Sequence, residues 1–127
     1  MKNERESIAA TAREYAGSPK RMEYIMNKEE LTMISFEIVS YSGDARSKLL
    51  LALEKAKQQK FDECDKLVKD AEAALVDAHN VQMDVMQQEA LGNPVDMGFI
   101  MVHAQDHLMT TLLFKDIIGT LIDVYRK

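Results

Sequence analysis

Tryptophan is absent from these 127 residues, cysteine occurs once, proline twice and glycine five times. A β sandwich or barrel needs glycine and proline at its many turns, so this scarcity argues against that class and favours helices. The single cysteine, Cys64, cannot close an internal disulfide and has no CxxC partner for metal or redox work; it reads as a packing residue in a reducing compartment. No run of about 18 apolar residues occurs, and Met1–Ile25 alternates charges where a signal peptide would carry an apolar core. The expectation is a cytoplasmic protein without membrane insertion.

Basic charge is also in short supply. Sixteen Lys and Arg stand against 21 Asp and Glu, a net charge of −5, and the lysines are scattered among carboxylates. Nucleic acid as a main partner would require a concentrated basic face and is excluded on that ground. What is present is a globular balance of 46% hydrophobic and 29% charged residues. At about 100–200 residues per domain, the length suits one domain with no room for a separate catalytic module.

Residues 1–25 are polar and broken by Gly17-Ser18-Pro19, and read as an N-terminal extension, partly helical or flexible, with Glu4–Tyr15 as its helical candidate. Residues 26–127 form the main domain. Asn27 followed by Glu30 has the spacing of a capping box, predicting a first long helix from there through Leu31, Ile34, Ile38, Leu49, Leu50 and Leu53 to about Gln58. Gly43 inside it points to close packing. A second helix is predicted from Phe61 to about Gln88 through Leu67, Val68, Ala71, Leu75, Ala78 and Val85. Leu91-Gly92-Asn93-Pro94 carries stop and start signals together, with the proline expected near the first turn of a third helix that runs to about Tyr125. Short links between long helices make neighbours antiparallel, so the predicted fold is an all-α, up-down-up three-helix bundle.

On the third helix, steps of about 100° gather Lys115, Asp116, Asp123 and Gln105 in one sector and Met109, Leu113, Phe114, Ile117, Ile118, Leu121, Val124 and Tyr125 in an opposite arc of roughly 200°. An arc that wide must pack on its own bundle and on something more, most simply other copies of the chain. His103, Asp106 and His107 interrupt this arc at spacings of three and four, which predicts ionisable groups side by side on a buried face. Such groups need a counter-charge, a metal or hydrogen bonds. Spacing alone leaves open a structural, a metal-binding and a nucleophilic or acid–base role for them. His79, beside Asp77 and Asn80 on the second helix, reads as a structural or partner-contact residue. Met83, Met86, Met97, Met101 and Met109 read as core filling.

The stretch Val102-His103-Ala104-Gln105-Asp106-His107-Leu108-Met109-Thr110 resembles the phosphorylation-site signature of the lactose/cellobiose-type IIA components of the bacterial sugar phosphotransferase system. Ser42-Gly43-Asp44-Ala45-Arg46-Ser47 and Ala78-His79-Asn80-Val81-Gln82 resemble the same family at corresponding places, so the likeness spans Glu30 to the C-terminus, roughly four fifths of the chain. The resemblance implies a homotrimer of three-helix bundles, with His103 as the phosphoryl acceptor and Asp106 as the aspartate gathered around a metal ion near the threefold axis. A carboxylate-only cluster suits a hard cation such as Mg2+ or another divalent ion. Gln105, His107 and His79 become phosphate-site or partner-contact candidates.

The implied activity is that of a transferase component. Phosphate passes from phospho-HPr to His103 and on to a IIB component during uptake of lactose, cellobiose or chitobiose. Two alternatives use the same residues: a helical metal-binding protein with His103, Asp106, His107 and perhaps His79 as ligands, and a structural oligomer whose polar trio sets register.

Overall fold

The computed structural model describes residues 27–95 and 97–127. The expected extension over residues 1–25 lies outside the described residues. Three helices make up the fold among those described: α1 over Lys28–Lys57, α2 over Phe61–Ala90 and α3 over Phe99–Tyr125.

The start of α1 is set by the capping box its sequence announces. The Asn27 side chain accepts from the Glu30 backbone N–H at 2.8 Å, and the Asn27 N–H donates to the Glu30 carboxylate at 3.3 Å. These bonds satisfy donors that a helix start otherwise leaves without partners. Along α1 the buried positions are Leu31, Ser35, Ile38, Ser42, Ala45, Leu49, Ala52 and Ala56, spaced alternately four and three apart. One residue per turn, most of them small (Ser35, Ser42, Ala45, Ala52, Ala56), gives a seam into which two other helices can press closely. Gly43 lies beside that seam and does not interrupt the helix.

Both helix ends that feed the links close in the same way. Gln59 has φ 60 and Gly92 φ 84. After α1, the N–H groups of Gln59 and Lys60 donate to the carbonyls of Ala56 and Lys55; after α2, those of Gly92 and Asn93 donate to Glu89 and Gln88. Each pair is a Schellman closure with its left-handed residue just past the helix. Asn93 also donates its side-chain amide to Gln88 at 2.8 Å. Pro94 therefore belongs to the end of α2 rather than to the first turn of α3, a correction to the expected boundary. The physical reason is that proline commonly follows a left-handed cap because it cannot continue the helix, and Gly98, in extended backbone, opens α3.

Packing is uneven. α1 lies along both α2 and α3, whereas α2 and α3 touch each other sparingly. At one end of the bundle Lys55 pairs with Glu63 at 3.7 Å, and Arg126 pairs with Asp65 while its guanidinium lies 4.7 Å over the Phe61 ring. At the other end Lys28, Leu31, Thr32 and Ser35 share a cleft with Gly98, Phe99, Ile100 and Met101. Cys64 is fully buried, as its reading as a packing residue requires. No described helix is long and apolar enough to cross a membrane.

Candidate functional site

The wide apolar arc of α3 divides into two faces. Met101, Ala104, Leu108, Thr111, Ile118 and Ile122 form the inner line against the bundle. Met109, Leu113, Ile117, Leu121 and Val124 form an exposed outer stripe, extended towards the start of the helix by Val102 and by Phe99, which is 90% exposed. The sector that reads as polar is not uniformly solvated: Asp116 and Asp123 are exposed, but Lys115 and Gln105 are half-buried.

His103 and Asp106 lie on the outer side and are exposed, while His107 is half-buried at the edge towards α1. The face carrying His103 and Asp106, expected to be covered by the bundle or by other copies of the chain, is open in the single chain. The inner line runs through Ala104 and Leu108, and one residue's step of about 100° carries His103 away from it. His103 and His107 come together as neighbours, with ring centroids 6.0 Å apart and planes tilted by 54°. A Cβ added at Gly43 would meet His107 Nε2 at 3.6 Å, an ordinary van der Waals distance, so α1 approaches this ring with backbone alone.

Further along the same edge, the Thr111 hydroxyl donates to the His107 carbonyl at 2.7 Å and the Thr110 hydroxyl to the Asp106 carbonyl at 2.8 Å. Thr110 and Thr111 line an open groove with Arg46, Leu50 and Phe114. Arg46 makes no ion pair among the described residues, unlike Arg126. Sequence reading did not single out Arg46, although it lies in a quoted stretch of α1.

Gln105 faces the other flank. Its side-chain carbonyl accepts from the Gln82 amide, and its own amide donates to Met101 Sδ at 3.4 Å. Gln82 also donates to Met109 Sδ at 3.7 Å. Gln105 is therefore turned towards α2 and away from the His103–His107 edge of its own chain. Sequence reading did not single out Gln82 as the partner of Gln105. The available signal was an amide at the 75, 78, 82, 85 spacing of an otherwise apolar seam. His79, one turn before Gln82, is exposed, and no hydrogen bond, ion pair or ring contact joins it to His103 among the described residues.

Burial pushes the Cys64 thiol above its ordinary pKa, with Asp65 adding to the shift and Arg126 opposing it. The thiol is held protonated and lies outside the histidine site. Among the described residues, no group of three or more His, Cys, Asp or Glu side chains gathers within one chain. The metal-binding alternative, with His103, Asp106, His107 and His79 as ligands of one site, is accordingly not favoured.

Comparison with known proteins follows the same stretch of chain. The family described as "PTS system, Lactose/Cellobiose specific IIA subunit" matches residues 33–126. The chain is 48% identical over 102 residues to a PTS system lactose-specific EIIA component of Staphylococcus epidermidis, covering 80% of this chain and 98% of that protein. It is 46% identical to the corresponding component of Streptococcus mutans with the same coverage. Among solved structures, PtcA from S. mutans superposes with a TM-score of 0.77 at 36% identity, covering 80% of this chain and all of that one. The cellobiose-specific enzyme IIA from Bacillus anthracis gives 0.73 at 36% identity, covering 82% and 94%.

Proposed function

Because the chain belongs to the lactose/cellobiose-specific IIA family of the sugar phosphotransferase system, we propose that it carries phosphoryl groups on His103. The observation that carries this reading is the placement of His103: an imidazole exposed on the outer side of a long helix, with a second imidazole one turn away. A carrier needs a nucleophile that two different proteins can reach in turn, and an outward position satisfies that need where a buried histidine would not.

The neutral ring nitrogen of His103 attacks the phosphorus of phosphohistidine on HPr; a P–N bond forms here as the P–N bond on HPr breaks. A cysteine thiolate of the IIB component then attacks, forming P–S and releasing His103. Both steps depend mainly on positioning and on stabilising the transferring group's charge. His107 is the neighbour best placed to influence the ring, while His79 and the Arg46–Thr110 groove are partner-contact candidates. The family membership supports uptake of lactose, cellobiose or chitobiose, with the protein acting in the cytoplasm.

The outer stripe supports assembly through α3, since monomeric soluble proteins rarely leave such a stripe open, and the likeness to the family implies a homotrimer with α3 innermost. The end-to-end pairings of Arg126 with Asp65 and of Lys55 with Glu63 support the up-down-up course of the helices, with residues 26–127 as the carrier domain and 1–25 as an extension. Asp106 fits a metal only through symmetry: one chain offers one carboxylate on the outer side of α3. Asp106 of three copies would hold Mg2+ or another divalent cation, which would neutralise their mutual repulsion.

The test is intact mass after incubation with phosphoenolpyruvate, enzyme I and HPr. One acid-labile phosphate per chain, lost in a folded His103→Ala protein, is expected. Absence of phosphate from the wild type, or full phosphorylation of His103→Ala, would overturn the reading.

A further inference from the structure

We infer that Gln82 is a positioning residue for transfer at His103, setting the roll of α3 about its own axis; this rests on the phosphocarrier reading above. α2 and α3 otherwise meet sparingly. Gln82 is only 5% exposed and takes a position in the α2 seam shared with Leu75, Ala78 and Val85. An apolar side chain would fill such a position. An amide there demands specific partners, because burying one unpaired forfeits its bonds to water without replacement.

The partners are all on one flank of α3. Gln82 donates to Gln105 and to Met109 Sδ, and Gln105 donates onward to Met101 Sδ. The span from Met101 to Met109 is two turns of helix, and it contains both His103 and Asp106. Among the described residues the opposite flank, which packs along α1, carries no side-chain hydrogen bond between the two helices, so its hold on α3 is by apolar contact. There His107 faces Gly43, whose missing side chain leaves only ordinary contact distance to fill. Apolar contacts tolerate a small roll of a helix, whereas a hydrogen bond between two amides does not.

The lever arm is short but sufficient. With side chains extending about 5–6 Å from the helix axis, a roll of about 20° carries the His103 ring roughly 2 Å. Misplacement of a reacting group by about 1 Å can cost about 100-fold in rate. Gln82 thus acts through Gln105 on the direction in which His103 and Asp106 point, without touching either.

The test uses the full chain carrying Gln82→Met, which keeps the bulk and removes the amide, with Gln105→Met as a second variant at a half-buried position. Three readouts are taken: thermal stability and assembly state, the rate and donor KM of phosphoryl acceptance from phospho-HPr, and the imidazole NMR resonances of the unphosphorylated protein. The expected result for either variant is retained assembly, a maximal rate lower by about 10- to 100-fold with donor KM within about twofold, and shifted His103 ring resonances beside unmoved His79 resonances. The double variant should be no slower than the worse single one, because both break one link. A folded Gln82→Met or Gln105→Met protein with wild-type rate and unmoved His103 resonances would overturn the inference, as would a double variant whose loss is the product of the two single losses. If the wild type accepts no phosphate, the carrier reading fails, and the ring resonances still decide whether Gln82 sets the placement of His103.

Discussion

Replacing Leu113 with aspartate tests whether the outer stripe of α3 is an assembly face. Leu113 is 63% exposed in the single chain and lies between Met109 and Ile117, which are 53% and 48% exposed. Full burial of a leucine contributes about 1.5–3 kcal/mol, so covering the open part of Leu113 contributes about 1–2 kcal/mol per chain. In a trimer the loss recurs three times, giving about 3–6 kcal/mol before any cost of burying three carboxylates. That corresponds to about a 10²- to 10⁴-fold weaker assembly. Sedimentation velocity across a micromolar concentration range should show trimer for the wild type and for Leu113→Met, which keeps the apolar bulk, and monomer for Leu113→Asp. Circular dichroism should show the variant still helical, because Leu113 makes no part of the inner line. A Leu113→Asp protein that sediments as the wild type does would refute the argument that the stripe is the interface.

Other perturbations probe separate parts of the same account. Asp106→Leu should leave the trimer intact or more stable and make it indifferent to chelator, since replacing converging buried charge by apolar bulk often stabilises; thermal melts with and without chelator check this, and a chelator-insensitive wild type together with a dissociated variant would reassign Asp106. Gln59→Gly should stabilise the chain by about 0.5–1 kcal/mol in denaturant titration, because Gln59 has φ 60 and a left-handed non-glycine residue costs about 1–2 kcal/mol, offset by the added freedom of glycine when unfolded. The raised thiol pKa of Cys64 sets the sign of a pH effect: the folded state keeps its proton where the unfolded chain loses it, so stability is full below the ordinary thiol range and falls as pH rises through it towards the raised value. Cys64→Ala should flatten that alkaline fall in denaturation midpoints.

The elements were legible because their signals are local. The Asn27–Glu30 spacing predicts a capping box, and both of its bonds are present. The period of apolar residues finds each helix, and α2 begins at the expected Phe61. The left-handed turn at Gln59 carries no such signal, since nothing in glutamine marks it for positive φ; the turn is imposed by the closure of α1 and the immediate start of α2. Pro94 misled for a related reason. Proline suits both the first turn of a helix and the residues after a cap, and only the bonds of Gly92 and Asn93 back to α2 decide between them.

The site was legible in composition but not in direction. Periodicity places His103, Asp106 and His107 together on α3, yet α3 is apolar on two sides, and hydrophobicity alone does not say which side the bundle takes. Residue size helps only in the middle of the helix, where Ala104 and Thr111 sit inside and Met109 and Leu113 outside; the ends of the inner line, Met101, Ile118 and Ile122, are as bulky as the outer stripe. Thr111 fits inside because its hydroxyl returns to the His107 carbonyl and leaves no polar group unpaired. A carboxylate has no such local solution, and at an inner position Asp106 would face α1 with a cost of several kcal/mol. Reading α3 by which polar groups can satisfy themselves, rather than by apolar count, keeps Thr111 inside and turns Asp106, with His103 beside it, to the outer side.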